Sequence, residues 1–299
     1  MEMISGLEQP IAELPNPIGI GGIEYVEYAT PAPQALGHVL ENMGFRPIAR
    51  HRSREILLYR QGTLNVLVNG HASPGKRPEP SSEDPRLSAI AFRVHDARAA
   101  YAHALSNGAW EVPEHAEVME LNIPGIHGPA GTHLNFVDRW RDFSIYDIDF
   151  VPIPGVDRNP PALAGMHLFG VVQDVGRDRT DDWVEFYRRL LGFRRLPEEQ
   201  RFGILPNGTL LGSPGAAFFI QLVEPHPSTV LYDEAEGFNR IGLGVPDVPV
   251  AVAALRHNGI EFYELPELHT EPQGALTRNY LRTVSFELVK HDERPEGTR

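Results

Sequence analysis

Apolar runs of strand length recur along this chain, and four of them give way to a helix-spaced segment that stops on glycine followed by an apolar residue. The segments are Leu36 to Met43 before Gly44-Phe45, Ala97 to Asn107 before Gly108-Ala109, Trp183 to Leu191 before Gly192-Phe193, and Val248 to Asn258 before Gly259-Ile260. Glycine adopts the left-handed conformation that ends a last helical turn, so each is read as a helix stop. Short β-rich runs follow, among them Ile56 to Tyr59 and Leu64 to Val68 in the first unit and Ala217 to Val223 in the third. The pattern predicts an α+β chain of four βαβββ units, at about 22–69, 88–138, 165–223 and 239–289. One such unit leaves a sheet face uncovered, which predicts that the units pair into two curved sheets with helices outside.

Two polar stretches punctuate the repeats. Pro152, Pro154, Gly155, Pro160 and Pro161 favour an extended connector, which predicts an N-terminal domain over 1–151 and a C-terminal domain over 162–299. The stretch Ala72 to Glu83 holds three prolines and reads as a solvated linker between the first two units. At 299 residues and 33.3 kDa the chain can bury a substantial core. A formal charge of -13 would repel a phosphate backbone, which excludes a nucleic-acid partner. The absence of cysteine excludes disulfides and thiolate chemistry. No run approaches the roughly 18 apolar residues of a membrane span and the N-terminus lacks signal-peptide form, so a soluble cytoplasmic protein without a membrane partner is expected.

Candidate chemistry rests on polar residues set inside apolar strands. His167 lies in Met166-His167-Leu168-Phe169, and Glu287 lies in Val284-Ser285-Phe286-Glu287-Leu288-Val289. Alternation turns Glu287 to the face opposite Phe286 and Leu288, where a dry, unpaired carboxylate would be costly. Arg240, in Asn239-Arg240-Ile241-Gly242-Leu243, is a potential bidentate partner for Glu287. Arg50, His51 and Arg52 read as a domain-interface network. Glu24, His133 and Asn135 could mimic a polar pocket in the first half, but Ile90 leaves the corresponding strand position apolar. His226 and His269 sit in proline-rich, loop-like surroundings that assign them no role.

Three stretches resemble the 4-hydroxyphenylpyruvate dioxygenases of the vicinal oxygen chelate superfamily. They are Gly22-Ile23-Glu24-Tyr25-Val26-Glu27-Tyr28-Ala29; Ala49-Arg50-His51-Arg52-Ser53 with Tyr59-Arg60-Gln61-Gly62-Thr63-Leu64-Asn65; and Val137-Asp138-Arg139-Trp140 followed by Ser144-Ile145-Tyr146-Asp147-Ile148-Asp149-Phe150. The likeness extends from about residue 20 to 290. It implies two vicinal oxygen chelate domains, the first catalytically silent and the second holding Fe(II). The family's iron ligands are a His on the first strand of the third unit, a His on the first strand of the fourth and a Glu on its last strand. Those positions here are His167, Arg240 and Glu287. Ser213, with Pro214-Gly215, resembles the family's turn beside the substrate pocket.

Arg240 breaks the ligand pattern, because a guanidinium has no available lone pair and stays protonated. Several readings remain open. His167 and Glu287 could hold iron completed from elsewhere, or His167, Gln221 and Glu287 could form a rearranged site for Mg²⁺, Mn²⁺ or Zn²⁺ suited to lyase or isomerase chemistry. Alternatively, no metal binds and Arg240 pairs with Glu287. No nucleotide or flavin cofactor is expected. An enzyme would act on a small carboxylated oxo or hydroxy compound, with His167, Arg240 and Glu287 as catalytic residues and Arg240, Ser213 and Gln221 binding substrate. The other class is a metal-free binding or structural homologue, and homo-oligomerisation is left open.

Overall fold

The computed structural model describes residues 15–70, 84–113, 120–141, 143–197, 208–225, 236–264 and 274–292. The stretch 72–83, His226 and His269 lie outside the described residues. In the first half the elements are β1 (Gly22–Ala29), α1 (Pro33–Asn42), β2 (Arg46–His51), β3 (Ile56–Gln61), β4 (Leu64–Asn69), β5 (Arg86–Arg93), α2 (Ala97–Ser106), β6 (Gly125–His127), β7 (His133–Val137), α3 (Ile145–Asp149) and β8 (Phe150–Pro152). The second half contains β9 (His167–Asp174), α4 (Thr180–Leu191), β10 (Arg194–Arg195), β11 (Thr209–Gly212), β12 (Phe219–Val223), β13 (Gly237–Val245), α5 (Val248–His257), β14 (Gly274–Leu276) and β15 (Phe286–Lys290).

The helix ends follow local chemistry. Asp96 and Asp247 cap α2 and α5 by accepting the backbone N–H groups of Ala99 and Val250 at 2.8 and 3.0 Å. Gly44, Gly108, Gly192 and Gly259 follow α1, α2, α4 and α5 with φ of 96, 92, 77 and 89°, the left-handed stop read from the sequence.

Strands form an eight-stranded sheet, β6-β7-β5-β1-β4-β3-β2-β8, and a seven-stranded sheet, β10-β11-β12-β9-β13-β15-β14. In the first, β1 and β5 are central and antiparallel, and they pair in parallel with β4 and β7. The second repeats this design, with β9 and β13 antiparallel at the centre and β12 and β15 as their parallel partners. The segments from β1 to β4 and from β9 to β12 are βαβββ. In the other two, the isolated bridges Glu111 to Ile126 and Phe262 to Thr277 stand beside shorter strand pairs. The arrangement is consistent with a duplicated βαβββ fold.

Alternating apolar residues give each sheet a helix-facing side. Val26, Ile90 and Phe92 of the first sheet share one continuous core with Val171, Ile220, Ile241, Phe286 and Leu288 of the second. Phe92 meets Phe193 and Phe218 edge-on at 6.3 and 6.2 Å between ring centroids. Full burial of each such ring stabilises the fold by about 2–3 kcal/mol. Helices α2 and α4 meet between the halves, where the Arg189 guanidinium donates to the Asn107 carbonyl.

On its other face the first sheet is filled. Tyr25, Ala89, Ala91 and Val137 pack beneath Ile145, Tyr146 and Phe150. Buried Glu24 is held by Arg93 at 2.6 Å, and Asn135 donates to the Tyr25 hydroxyl at 2.9 Å. The predicted interface role of His51 gives way to contacts within this half, with Glu120 at 3.9 Å and the Phe150 ring at 5.1 Å. Among the described residues, no helix is long and apolar enough to cross a membrane.

Candidate functional site

The second sheet leaves an open cleft on the face opposite its helices. Register explains which side chains reach it, because residues directly opposite one another on paired strands share a face. One row is Gln221, Val172 and Arg240. The next is Phe219, Gly170, Gly242 and Glu287. Beyond an irregularity between Gly242 and Leu243, a third row holds His167, Gly244 and Val289. Phe169 and Phe219 stack at 4.7 Å between centroids with a 20° interplanar angle and wall the cleft beside Leu210 and Val289.

Arg240 and Glu287 form the charged centre. Glu287 is 3% exposed, and its Oε2 lies 3.5 Å from Arg240 Nε. That contact is an ion pair by distance, but its geometry falls short of a hydrogen bond. Arg240 Nε is therefore buried and donates to no acceptor. Gln221 lines the same cleft as Glu287.

His167 reaches a different neighbour. Its Nε2 lies 2.8 Å from Nδ1 of His291, and its Nδ1 lies 3.3 Å from the Gly165 carbonyl oxygen. With Nδ1–H directed to that carbonyl, Nε2 is the acceptor and His291 the donor. The His167 ring lies over Gly244, where a Cβ would collide with Nε2, and Phe169 supports His291 at 5.1 Å. His291 is not among the residues singled out from the sequence, although its position four residues after Glu287 is a usable signal. A strand continued from Glu287 turns every second residue to the same face, so 289 and 291 belong to the cleft side.

Ser213 serves the turn between β11 and β12. It is fully buried, its Oγ accepts the Phe218 N–H at 3.0 Å, and its own N–H donates to the Phe218 carbonyl at 2.9 Å. The structure thus brings Glu287 and Gln221 to one cleft with Arg240 against Glu287, turns His167 toward His291, and keeps Ser213 in a neighbouring turn.

The residues do not fit the Fe(II) site implied by the family. A facial two-His, one-carboxylate site needs three lone-pair donors converging on one point. Here a guanidinium stands at one ligand position and leans on the carboxylate of another, while the His167 Nε2 lone pair is turned to His291. Among the described residues, no three His, Cys, Asp or Glu side chains are grouped to hold a metal.

Two antiparallel central strands, each paired in parallel with the last strand of its own segment, together with a cleft on the open face, define a vicinal oxygen chelate protein. Residues 14–151 match the family described as "Hydroxyphenylpyruvate dioxygenase, HPPD, N-terminal". The 4-hydroxyphenylpyruvate dioxygenase of Pseudomonas aeruginosa is 33% identical over 267 residues, covering 86% of this chain and 75% of that protein. The enzyme of that name from a Pseudomonas species is 39% identical over 182 residues, covering 60% of this chain and 51% of that one. A solved xylose isomerase-like TIM barrel/4-hydroxyphenylpyruvate dioxygenase fusion protein shares the fold with a TM-score of 0.71 at 21% identity, over 95% of this chain and 51% of that one. The chain belongs to the 4-hydroxyphenylpyruvate dioxygenase family.

Proposed function

We propose that the second half, residues 162–299, binds a small carboxylated oxo or hydroxy compound through Arg240, without iron-dependent oxygenation, and that residues 1–151 form a non-catalytic domain. The observation that carries this reading is Arg240 Nε, buried without a hydrogen-bond acceptor and set against Glu287, which lines an aromatic-walled cleft. An unsatisfied buried donor costs about 1–3 kcal/mol, and an incoming carboxylate would relieve that cost. A guanidinium has five N–H donors in a planar fork, enough to serve a ligand carboxylate and Glu287 together. The name 4-hydroxyphenylpyruvate dioxygenase, carried by similar proteins, denotes an oxo-acid substrate and supports the same ligand class. Glu287 and His167 are the candidate acid-base groups for a compound anchored in this way.

The experiment is a calorimetric comparison of carboxylic acids with their matched esters or amides, on the wild type and on Arg240→Met. Loss of the anchor should weaken the acids by about 2 kcal/mol or more, roughly 30-fold, and leave the neutral partners nearly unchanged. Equal losses for both, or no loss for either, reject the assignment.

A second reading is a lyase or isomerase using Mg²⁺, Mn²⁺ or Zn²⁺ at His167, Gln221 and Glu287, favoured by the shared cleft position of Gln221 and Glu287. It requires close to one tightly held ion per chain after controlled loading, with affinity reduced in Glu287→Gln. A wild type that stays metal-free under loading rejects it.

A further inference from the structure

Three glycines lie where the central strands β9 and β13 pass the cleft, and the fold requires only two of them. At Gly170 a Cβ would collide with the Phe219 carbonyl oxygen, and at Gly244 it would strike the His167 ring. At Gly170 the obstacle is backbone, and at Gly244 a side chain is admitted only if the His167 ring moves. Gly242 differs. A Cβ there would stand 3.5 Å from the Gly170 oxygen and 3.5 Å from Phe169 Cδ1, both ordinary van der Waals contacts. Gly242 is not among the positive-φ residues, so its backbone suits other amino acids. A glycine inside a central strand sacrifices conformational entropy and side-chain packing, so its presence at this position needs another cause.

That cause lies in the cleft. Gly242 lines it, directly opposite Glu287 and two residues along β13 from Arg240. We infer that Gly242 determines specificity, its missing side chain admitting the flat body of a carboxylated ligand whose carboxylate is held by Arg240. A methyl group carried by residue 242 would stand at normal contact distances from the Gly170 oxygen and the Phe169 ring edge, so the fold tolerates it while the cleft loses the room that it fills. This inference rests on the proposed carboxylate site.

The test uses the full chain, with acetate as a carboxylate that has little body and benzoate as a flat one. Unfolding temperature and dissociation constants are measured for the wild type, Gly242→Ala, Gly242→Ser and Arg240→Met. Both Gly242 variants should melt no lower than the wild type, bind acetate within about twofold of it, and bind benzoate at least tenfold more weakly. The inference is overturned if either variant binds benzoate as the wild type does, if acetate is lost in parallel, or if the melting temperature falls because the fold itself requires glycine. If Arg240→Met loses benzoate and the Gly242 variants do not, the carboxylate site stands and this inference alone fails. If the wild type binds neither acid, or Arg240→Met binds both normally, both fail.

Discussion

Removing Arg240 should leave a measurable electrostatic defect at Glu287, separable from any effect on ligands. The two charges are 3.5 Å apart, with side-chain exposures of 12% and 4%. At an effective dielectric of about 20, their attraction is about 4–5 kcal/mol before desolvation is subtracted. Truncating one partner of a buried pair commonly costs about 3–5 kcal/mol, because the remaining charge stays behind. The pair here lacks hydrogen-bond geometry at Arg240 Nε, and Glu287 has further interactions of its own, both of which reduce the cost. Arg240→Met should therefore lower unfolding stability by about 2–3 kcal/mol at neutral pH. Arg240→Met combined with Glu287→Gln removes the stranded charge and should recover most of that loss, to within about 1 kcal/mol of the wild type. Urea denaturation of the wild type, both single variants and the double variant closes the cycle, with slopes that should stay constant. A single-variant loss below about 0.5 kcal/mol, or a double variant as unstable as Arg240→Met, would refute the coupling.

Loading the wild type with Fe(II) under anaerobic conditions and then admitting oxygen should give no oxygen uptake with 4-hydroxyphenylpyruvate. Arg240→His should bind Fe(II) about tenfold more tightly than the wild type, whereas robust uptake by the wild type would overturn the ligand argument. Gly244→Ala should cost about 1–3 kcal/mol, because the new methyl displaces the His167 ring and breaks its contact with His291. Histidine NMR signals that stay unchanged in that variant would contradict this. Burial pushes the Glu27 carboxyl above its ordinary value of 4.5, despite its bonds from Asn69 and Ser88. The folded state then holds this proton more tightly than the unfolded one, so the stability contribution falls as pH rises from the ordinary value through the folded pKa. Glu27→Gln should be at least as stable as the wild type near neutral pH, with its advantage vanishing toward about pH 4; an advantage that persists there would show another origin.

Local sequence determined much of this protein. Period-two alternation turned Phe286 and Leu288 to the core and Glu287 to the other face, and four glycines ended helices where backbone chemistry demanded it. The family resemblance also implied a ligand position filled by Arg240, an expectation that depends on residue type and motif position alone. Tertiary structure decided which of these groups meet. Periodicity fixes a residue's face but not its row, and irregularities at Phe238 to Arg240 and at Gly242 to Leu243 shift the rows on β13. Those shifts set Arg240 against Glu287 and carry His167 past them to His291, a partner 124 positions away in the chain. They also separate glycines that look alike in sequence: a Cβ at Gly170 or Gly244 would collide with neighbouring atoms, while one at Gly242 would meet only ordinary van der Waals contacts. Strand propensity and spacing are local properties, whereas cross-strand register comes from simultaneous packing of distant segments, so only the folded chain could reveal these pairings.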